Sequence, residues 1–312
     1  MKLYDNLLAR MSVGEAILID GGTGTEVERR GVPQLKNAWN GGGALSHPDI
    51  LRQIHKDYIA HGAEIIIANT FATSRNLMED AGCLDLFDDY NRRSTEIACE
   101  ARTAMNADRV LVAGSISHWS FSGRLPSLIS LEEGAAEQAM IMKEAGADLI
   151  MLEMMIDIDR MRSVLQGAIT SGLPVWVGLS CAAGEDGVVR LQDGKADADG
   201  HKRSAHGATL CDAITALSDF DIPLINIMHT DVTFVDACLD VLDKRWDGLV
   251  GVYAHSGAII DGEWVFEETI SPAEYTAYAE RWLDRGINVI GGCCGIRPDH
   301  IHELKPLVGN DA

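Results

Sequence analysis

The sequence predicts an α/β protein, a (β/α)8 TIM barrel that fills residues 1–312 as a single domain. Three observations lead there. Short, nearly all-apolar runs alternate with longer segments of helical periodicity, as parallel strands covered on both faces require. There are eight such units in 312 residues, which matches a barrel of about 250 residues with insertions. Polar residues gather where the apolar runs end, and in this fold active sites sit at the C-terminal ends of the strands. A doubly wound open sheet is the alternative. Without a Gly-rich dinucleotide turn, and with no linker marking a second domain, closure is favoured.

The elements follow in order. The first strand is read at residues 16–22. A helix at 48–62 follows a loop, with Pro48 at its start and Gly62 past its end. Strand two is 63–70, with its helix at 91–106. Strand three is 109–117, with its helix at 131–146. Strand four is 147–155, followed by a helix from about 158 to 172. Strand five is 174–181, and its helix, 208–220, comes after a polar insertion. Strand six is 223–230, with helix 233–246. Strand seven is 247–255, with helix 271–286. Strand eight is 287–295, and a helix at 300–308 closes the chain.

Composition narrows the partners. Lys and Arg number 26 against 47 Asp and Glu, a formal charge of −21. Such a chain repels phosphate backbones and anionic lipid, so neither nucleic acid nor a membrane surface is expected. Seven cysteines in no framework spacing suggest a reducing compartment, hence a cytoplasmic protein. The N-terminal residues lack the apolar core of a signal peptide, and no apolar run reaches the roughly 18–20 residues of a membrane span. The oligomeric state stays open.

The stretch Val289-Ile290-Gly291-Gly292-Cys293-Cys294-Gly295 carries the clearest chemistry. Adjacent side chains on a regular strand face opposite ways, so both thiols can meet one metal only where the pleat breaks. Glycine permits that break. The alternative is a glycine turn with two small packed thiols. His229, at the end of strand six, could add an imidazole, giving two soft ligands and one nitrogen for Zn2+ with a fourth position open; a hydrogen-bonded structural histidine is the competing reading. Met228 reads as core. Asp20 and Glu153 also sit at strand ends. Glu153 stands among Leu152, Met154 and Met155, where a carboxylate must be paired, bound or protonated. The two acids could hold a substrate ammonium or, alternatively, a structural ion pair. Thr23, Thr25, Thr70 and loop amides could hold a carboxylate. An open zinc site with amino-acid-binding groups points to a thiol substrate, because zinc coordination keeps a thiol deprotonated and the thiolate is the nucleophile.

On these residues the chain resembles the homocysteine S-methyltransferase family. The resemblance runs from Asp20-Gly21-Gly22-Thr23-Gly24-Thr25 through Asn69-Thr70-Phe71, Glu153, residues 176–181 and His255-Ser256-Gly257 to Gly291–Gly295. It implies a zinc-dependent barrel that moves a methyl group onto the thiol of homocysteine, giving methionine. By resemblance Cys293 and Cys294 match two zinc ligands, Asp20 and Glu153 hold the amino group, and Gly21 and Thr70 contact the amino acid. No catalytic group is implied beyond the zinc-bound substrate thiolate. One departure stands out: the family's third zinc cysteine, at the end of strand six, is replaced by His229, so a Cys2His site is expected. The loop at 118–123 and the insertion at 184–207, with His201 and His206, also depart from the family pattern.

The small-molecule partners expected are homocysteine and a sulfonium or ammonium methyl donor, S-methylmethionine-like or betaine-like. Trp119, Phe71, Trp176 and Tyr253 could give such a cation aromatic contacts. Two alternatives remain: a non-catalytic barrel that binds an amino acid or a partner, and a zinc hydrolase.

Overall fold

A computed structural model describes residues 2–184, 186–192, 207–260, 263–265 and 270–308. Its main sheet has eight strands: β1 Ile17–Leu18, β2 Ile65–Ile67, β3 Leu111–Ile116, β4 Leu149–Met155, β5 Val175–Leu179, β6 Leu224–Asp231, β7 Leu249–His255 and β8 Val289–Ile290. All neighbours pair parallel, and β1 lies beside β8. A bridge from Ile19 to Ile65 joins β1 to β2 and closes the ring. The (β/α)8 barrel expected from the sequence is the fold.

Why the strands are oily is visible residue by residue. In β2, Ile65 and Ile67 point into the barrel while Ile66 points to the helices. In β4, Leu149 and Met151 face inward, and Ile150 and Leu152 face outward. Period-two alternation with both faces apolar produces two cores, one inside the ring and one between ring and helices.

Most helices fall where periodicity placed them. Pro48 opens Pro48–Ala60, and Ser271 caps Pro272–Asp284 with a reciprocal bond to Glu274. The helix expected at 91–106 is Phe87–Ala104, and within it the Asn91 side chain donates from Nδ2 to the Phe87 carbonyl at 2.8 Å. The closing helix begins earlier than expected, at Pro298.

The helix Lys2–Ser12 was not anticipated. Its Tyr4, Leu7 and Met11 join the inner core, and Trp176 of β5 donates to the Tyr4 hydroxyl at 2.9 Å. It plugs the N-terminal end of the barrel. Two hairpins were also unforeseen: Cys181–Ala183 with Val189–Leu191, and Ala258–Ile260 with Glu263–Val265. His201 and His206 lie outside the described residues. Among the described residues no helix is long and apolar enough to cross a membrane.

Candidate metal centre

The first and last units meet at the mouth of the barrel. The Gly292 amide donates to the Asp20 carbonyl at 3.0 Å, and the Gly22 amide to the Ile296 carbonyl at 2.8 Å. The contact demands glycine: a Cβ on Gly22 would lie 2.6 Å from the Cys293 carbonyl oxygen, and one on Gly292 would lie 2.1 Å from Ile296. Beyond Ile290 the chain leaves the sheet, and Gly295 turns at φ 82°. The pleat ends, and the two neighbouring thiols come to one side.

Cys293 Sγ lies 3.9 Å from Cys294 Sγ and 3.5 Å from His229 Nδ1, and the three ligand atoms all fall within 4.8 Å of one another. A tetrahedral zinc, with Zn–S near 2.3 Å and Zn–N near 2.0–2.1 Å, has edges of about 3.8 Å between sulfurs and about 3.5 Å between sulfur and nitrogen. The donor set fits that ion. With protein groups alone, the hydrogen bond to Cys294 and burial push the Cys293 thiol well up, so a thiolate there calls for a cation. The His229 ring stacks on His255 with centroids 4.6 Å apart and planes 23° apart. His255 Nδ1 in turn accepts from the Gly257 amide at 2.9 Å.

The thiols open onto a cavity of about 290 Å³. Its wall includes Gly21, Thr23, Thr25, Asn69, Glu153, Met228 and Tyr253, with Phe71 and Trp119 among its aromatics. Among the described residues Glu153 is the one carboxylate on the wall, and no Lys or Arg lines it. Its carboxylate accepts from the Ser115 hydroxyl. The Tyr253 hydroxyl is oriented toward it without a hydrogen bond of proper geometry. Burial pushes the Glu153 carboxyl up to about 7.

Asp20 is fully buried behind this wall. Its Oδ2 accepts from the Ile67 amide at 2.7 Å, and its Oδ1 has no hydrogen-bond partner among the described residues. Burial raises its carboxyl well above the usual range. Thr70 is not on the wall either: its hydroxyl accepts from the Ser115 amide at 2.8 Å and donates to the Ser115 carbonyl at 2.9 Å. Its side chain therefore braces β3 and, through Ser115, Glu153. Trp176, read from the sequence as a possible cation contact, is bonded to Tyr4 at the other end of the barrel and does not line the cavity. Met228 is buried, and its sulfur accepts from the Met154 amide at 3.2 Å and the Ser180 hydroxyl at 3.1 Å.

Sequence reasoning missed Trp39, Asn40 and Met154 on the cavity wall and reached Phe121 only as part of the loop at 118–123. Trp39 and Phe121 sit 6.3 Å apart, centroid to centroid, and Phe121 and Trp119 6.2 Å. Trp39 lies in a loop between units with no periodicity to mark it, so only its aromatic character hinted at a role.

A barrel whose mouth gathers two adjacent thiols, an imidazole and a buried carboxylate around one small cavity defines a class: the thiol-handling metalloenzymes. Over residues 17–308 the chain matches the model of a family described as Homocysteine S-methyltransferase. It belongs to that family, whose reaction is methyl transfer to homocysteine, and it is an S-methyltransferase. Relatives include the selenocysteine Se-methyltransferase of Brassica oleracea var. italica, 26% identical over 95% of this chain and 90% of that one. Another is homocysteine S-methyltransferase 2 of Arabidopsis thaliana, 25% identical over 95% of this chain and 94% of that one. The fold is shared with the metallated form of the homocysteine methyltransferase MmuM from Escherichia coli, at TM-score 0.72 and 20% identity, covering 94% of this chain and 96% of that one.

Proposed function

We propose that this barrel transfers a methyl group from a sulfonium or ammonium donor, S-methylmethionine-like or betaine-like, to the thiol of homocysteine, giving methionine. The carrying observation is the His229, Cys293 and Cys294 cluster, with both edges at Cys293 of tetrahedral length, open to a cavity that among the described residues carries one carboxylate and no Lys or Arg. Zinc held by these three side chains would supply Lewis-acid stabilisation that keeps a bound thiol deprotonated at neutral pH.

The chain's own groups do the rest. Glu153 meets the amino group of homocysteine from the wall, with Asp20 behind it adding a second carboxylate once an ammonium compensates the cost of ionising it. The Gly21 amide, with Thr23 and Thr25, takes the carboxylate. Thr70 holds Ser115 so that its hydroxyl orients Glu153. The aromatic side chains of Trp39, Phe71, Trp119 and Phe121 offer π-faces to the positive donor. The thiolate sulfur attacks the methyl carbon as the carbon–sulfonium or carbon–ammonium bond breaks. The electron pair leaves with a neutral thioether or amine, so no general acid is needed. Small molecules are the partners we assign, with the residues 1–312 acting as one unit in a reducing, cytoplasmic compartment.

The alternatives fare worse. A non-catalytic barrel leaves the matched thiol and imidazole spacing without a purpose, and a hydrolase would need a base, whereas Glu153 accepts from Ser115 and suits an ammonium. The test supplies reduced, zinc-replete protein with homocysteine and either donor class, and with selenocysteine as a competing acceptor because one relative is named for it. Methionine formed from one donor class is the expected result. Transfer from neither would overturn the reading.

A further inference from the structure

His229 is in the wrong place for a regular strand. Along β6, Leu224 and Met228 face the barrel interior, while Ile225 and Ile227 face the helices. Strict alternation would turn residue 229 outward, away from the thiols. Both Met228 and His229 nevertheless line the cavity. The backbone shows how. His229 has φ 41°, in the left-handed region unusual for a residue other than glycine, and pairing with β7 shifts between Met228 and Asp231. Such a bulge re-aims a side chain, and strained backbone of this kind persists only where its surroundings over-determine it.

Gln192 is what grips the bulge. It leaves the hairpin strand Val189–Leu191 that follows β5, is 3% exposed, and is tied by its own amide to the Ser180 carbonyl at 2.9 Å. Its Nε2 donates to the His229 carbonyl at 2.8 Å and to the Cys181 carbonyl at 3.1 Å. On the next residue, the Thr230 hydroxyl accepts from the Cys181 amide at 2.9 Å. The end of β5 is thus stitched to β6 at the bulged histidine and at its neighbour.

We propose that Gln192 is a positioning residue of the metal centre: through the His229 carbonyl it holds the left-handed turn that swings the imidazole from the helix side to the two thiols. This rests on His229 being the third ligand. The bonds of the Gln192 side chain to the described residues go to backbone carbonyls, of Cys181 and His229, so the effect predicted here travels through His229, and that makes it separable from a general role in stability.

The experiment is a double-mutant cycle on Zn2+ affinity, read by competition with a chromophoric chelator, using Gln192→Leu, His229→Ala and the pair. Gln192→Leu keeps an apolar stem of similar bulk and removes the donor. It should weaken Zn2+ binding roughly 10–100-fold, the usual scale for losing a group that orients a ligand. In the His229→Ala background the same change should cost nothing further. Co2+ in place of Zn2+ should show an altered visible d–d envelope in Gln192→Leu, reporting a displaced imidazole. If the leucine variant fails to fold, Gln192→Met, matched to glutamine in length and without a donor, takes its place. Equal losses in both backgrounds would make Gln192 merely structural and overturn the proposal, as would no loss beside intact His229. Zn2+ held as tightly by His229→Ala as by wild type would remove the ligand and the positioning role together, while methyl transfer in that variant would leave the enzyme reading standing.

Discussion

The two ends of this barrel are built from the same eight strands to opposite rules. At the bottom, helix Lys2–Ser12 presses Tyr4, Leu7 and Met11 into the inner core, and the buried polar groups there are matched, the Trp176 indole donating to Tyr4 and the Asn288 side-chain amide to the Met11 carbonyl. Burial holds the Tyr4 hydroxyl at about 12, far from any physiological titration. At the mouth, backbone is strained at Met154 (φ 54°) and His229 (φ 41°), both where strand register shifts. Burial pushes one carboxyl up to about 7, and another is buried with an oxygen that has no hydrogen-bond partner among the described residues. Order at one end lets the other carry unfavourable groups, and the contrast makes a rule: substitutions below should move stability, and those above should move chemistry.

The largest effect should come from the thiols. Cys293→Ser or Cys294→Ser exchanges a soft ligand for a hard hydroxyl. We expect bound zinc to fall sharply and transfer to drop on the order of 10³-fold, about 4 kcal/mol of barrier, while the metal-free variants melt within a few degrees of the metal-free parent. Metal analysis, a methionine assay and thermal unfolding decide it. A collapse of the metal-free fold would break the division between the two ends.

How far the sequence disclosed this division differs from residue to residue. The eight apolar runs fixed the barrel because parallel strands leave a strong compositional trace. The thiol pair and Glu153 stood out because each is chemically out of place on its strand. Helix Lys2–Ser12 was invisible in role: six of its eleven residues are apolar, but only the ring of strands shows that they have a floor to fill. His229 could be singled out at a strand end, but counting by twos along β6 turns it outward. The bulge that turns it inward depends on Gln192, a residue 37 positions away, and no local pattern encodes that. Trp39 and Phe121 likewise reach the cavity from loops.

Next in size is Glu153→Gln. The isosteric amide keeps the bond with Ser115 within reach but cannot carry the charge that an ammonium needs, so kcat/KM for homocysteine should fall roughly 10²-fold, about 3 kcal/mol. The pH profile sharpens this. Burial raises the Glu153 carboxyl to about 7, so in free enzyme it is ionised above that pH and neutral below. Wild-type kcat/KM should therefore decline by up to about tenfold per unit as the pH falls through 7 and beneath, and the glutamine variant should lose that limb. The slope belongs in kcat/KM, which reports free enzyme, because a bound ammonium favours the carboxylate and drags the titration lower. An unchanged acid limb in the variant would assign it to another group and release Glu153 from the ammonium.

The smallest effect on activity should come from the bottom, and it is the more demanding test of the contrast. Tyr4→Phe removes the oxygen that accepts from the Trp176 indole, leaving a fully buried N–H with no partner from Tyr4. A stranded buried donor costs about 1–3 kcal/mol, which for a chain of this size is a melting temperature lower by several degrees. Trp176 belongs to β5, whose far end passes into the segment that holds Gln192, so a disturbance at the floor has a covalent path to the metal centre. If the inner core is as rigid as its packing implies, the shift dies within the strand, and kcat, KM and zinc affinity at 25 °C match the parent. If zinc affinity falls along with the melting temperature, floor and mouth are mechanically coupled through β5, and the helix at the bottom is part of what holds His229 against the thiols.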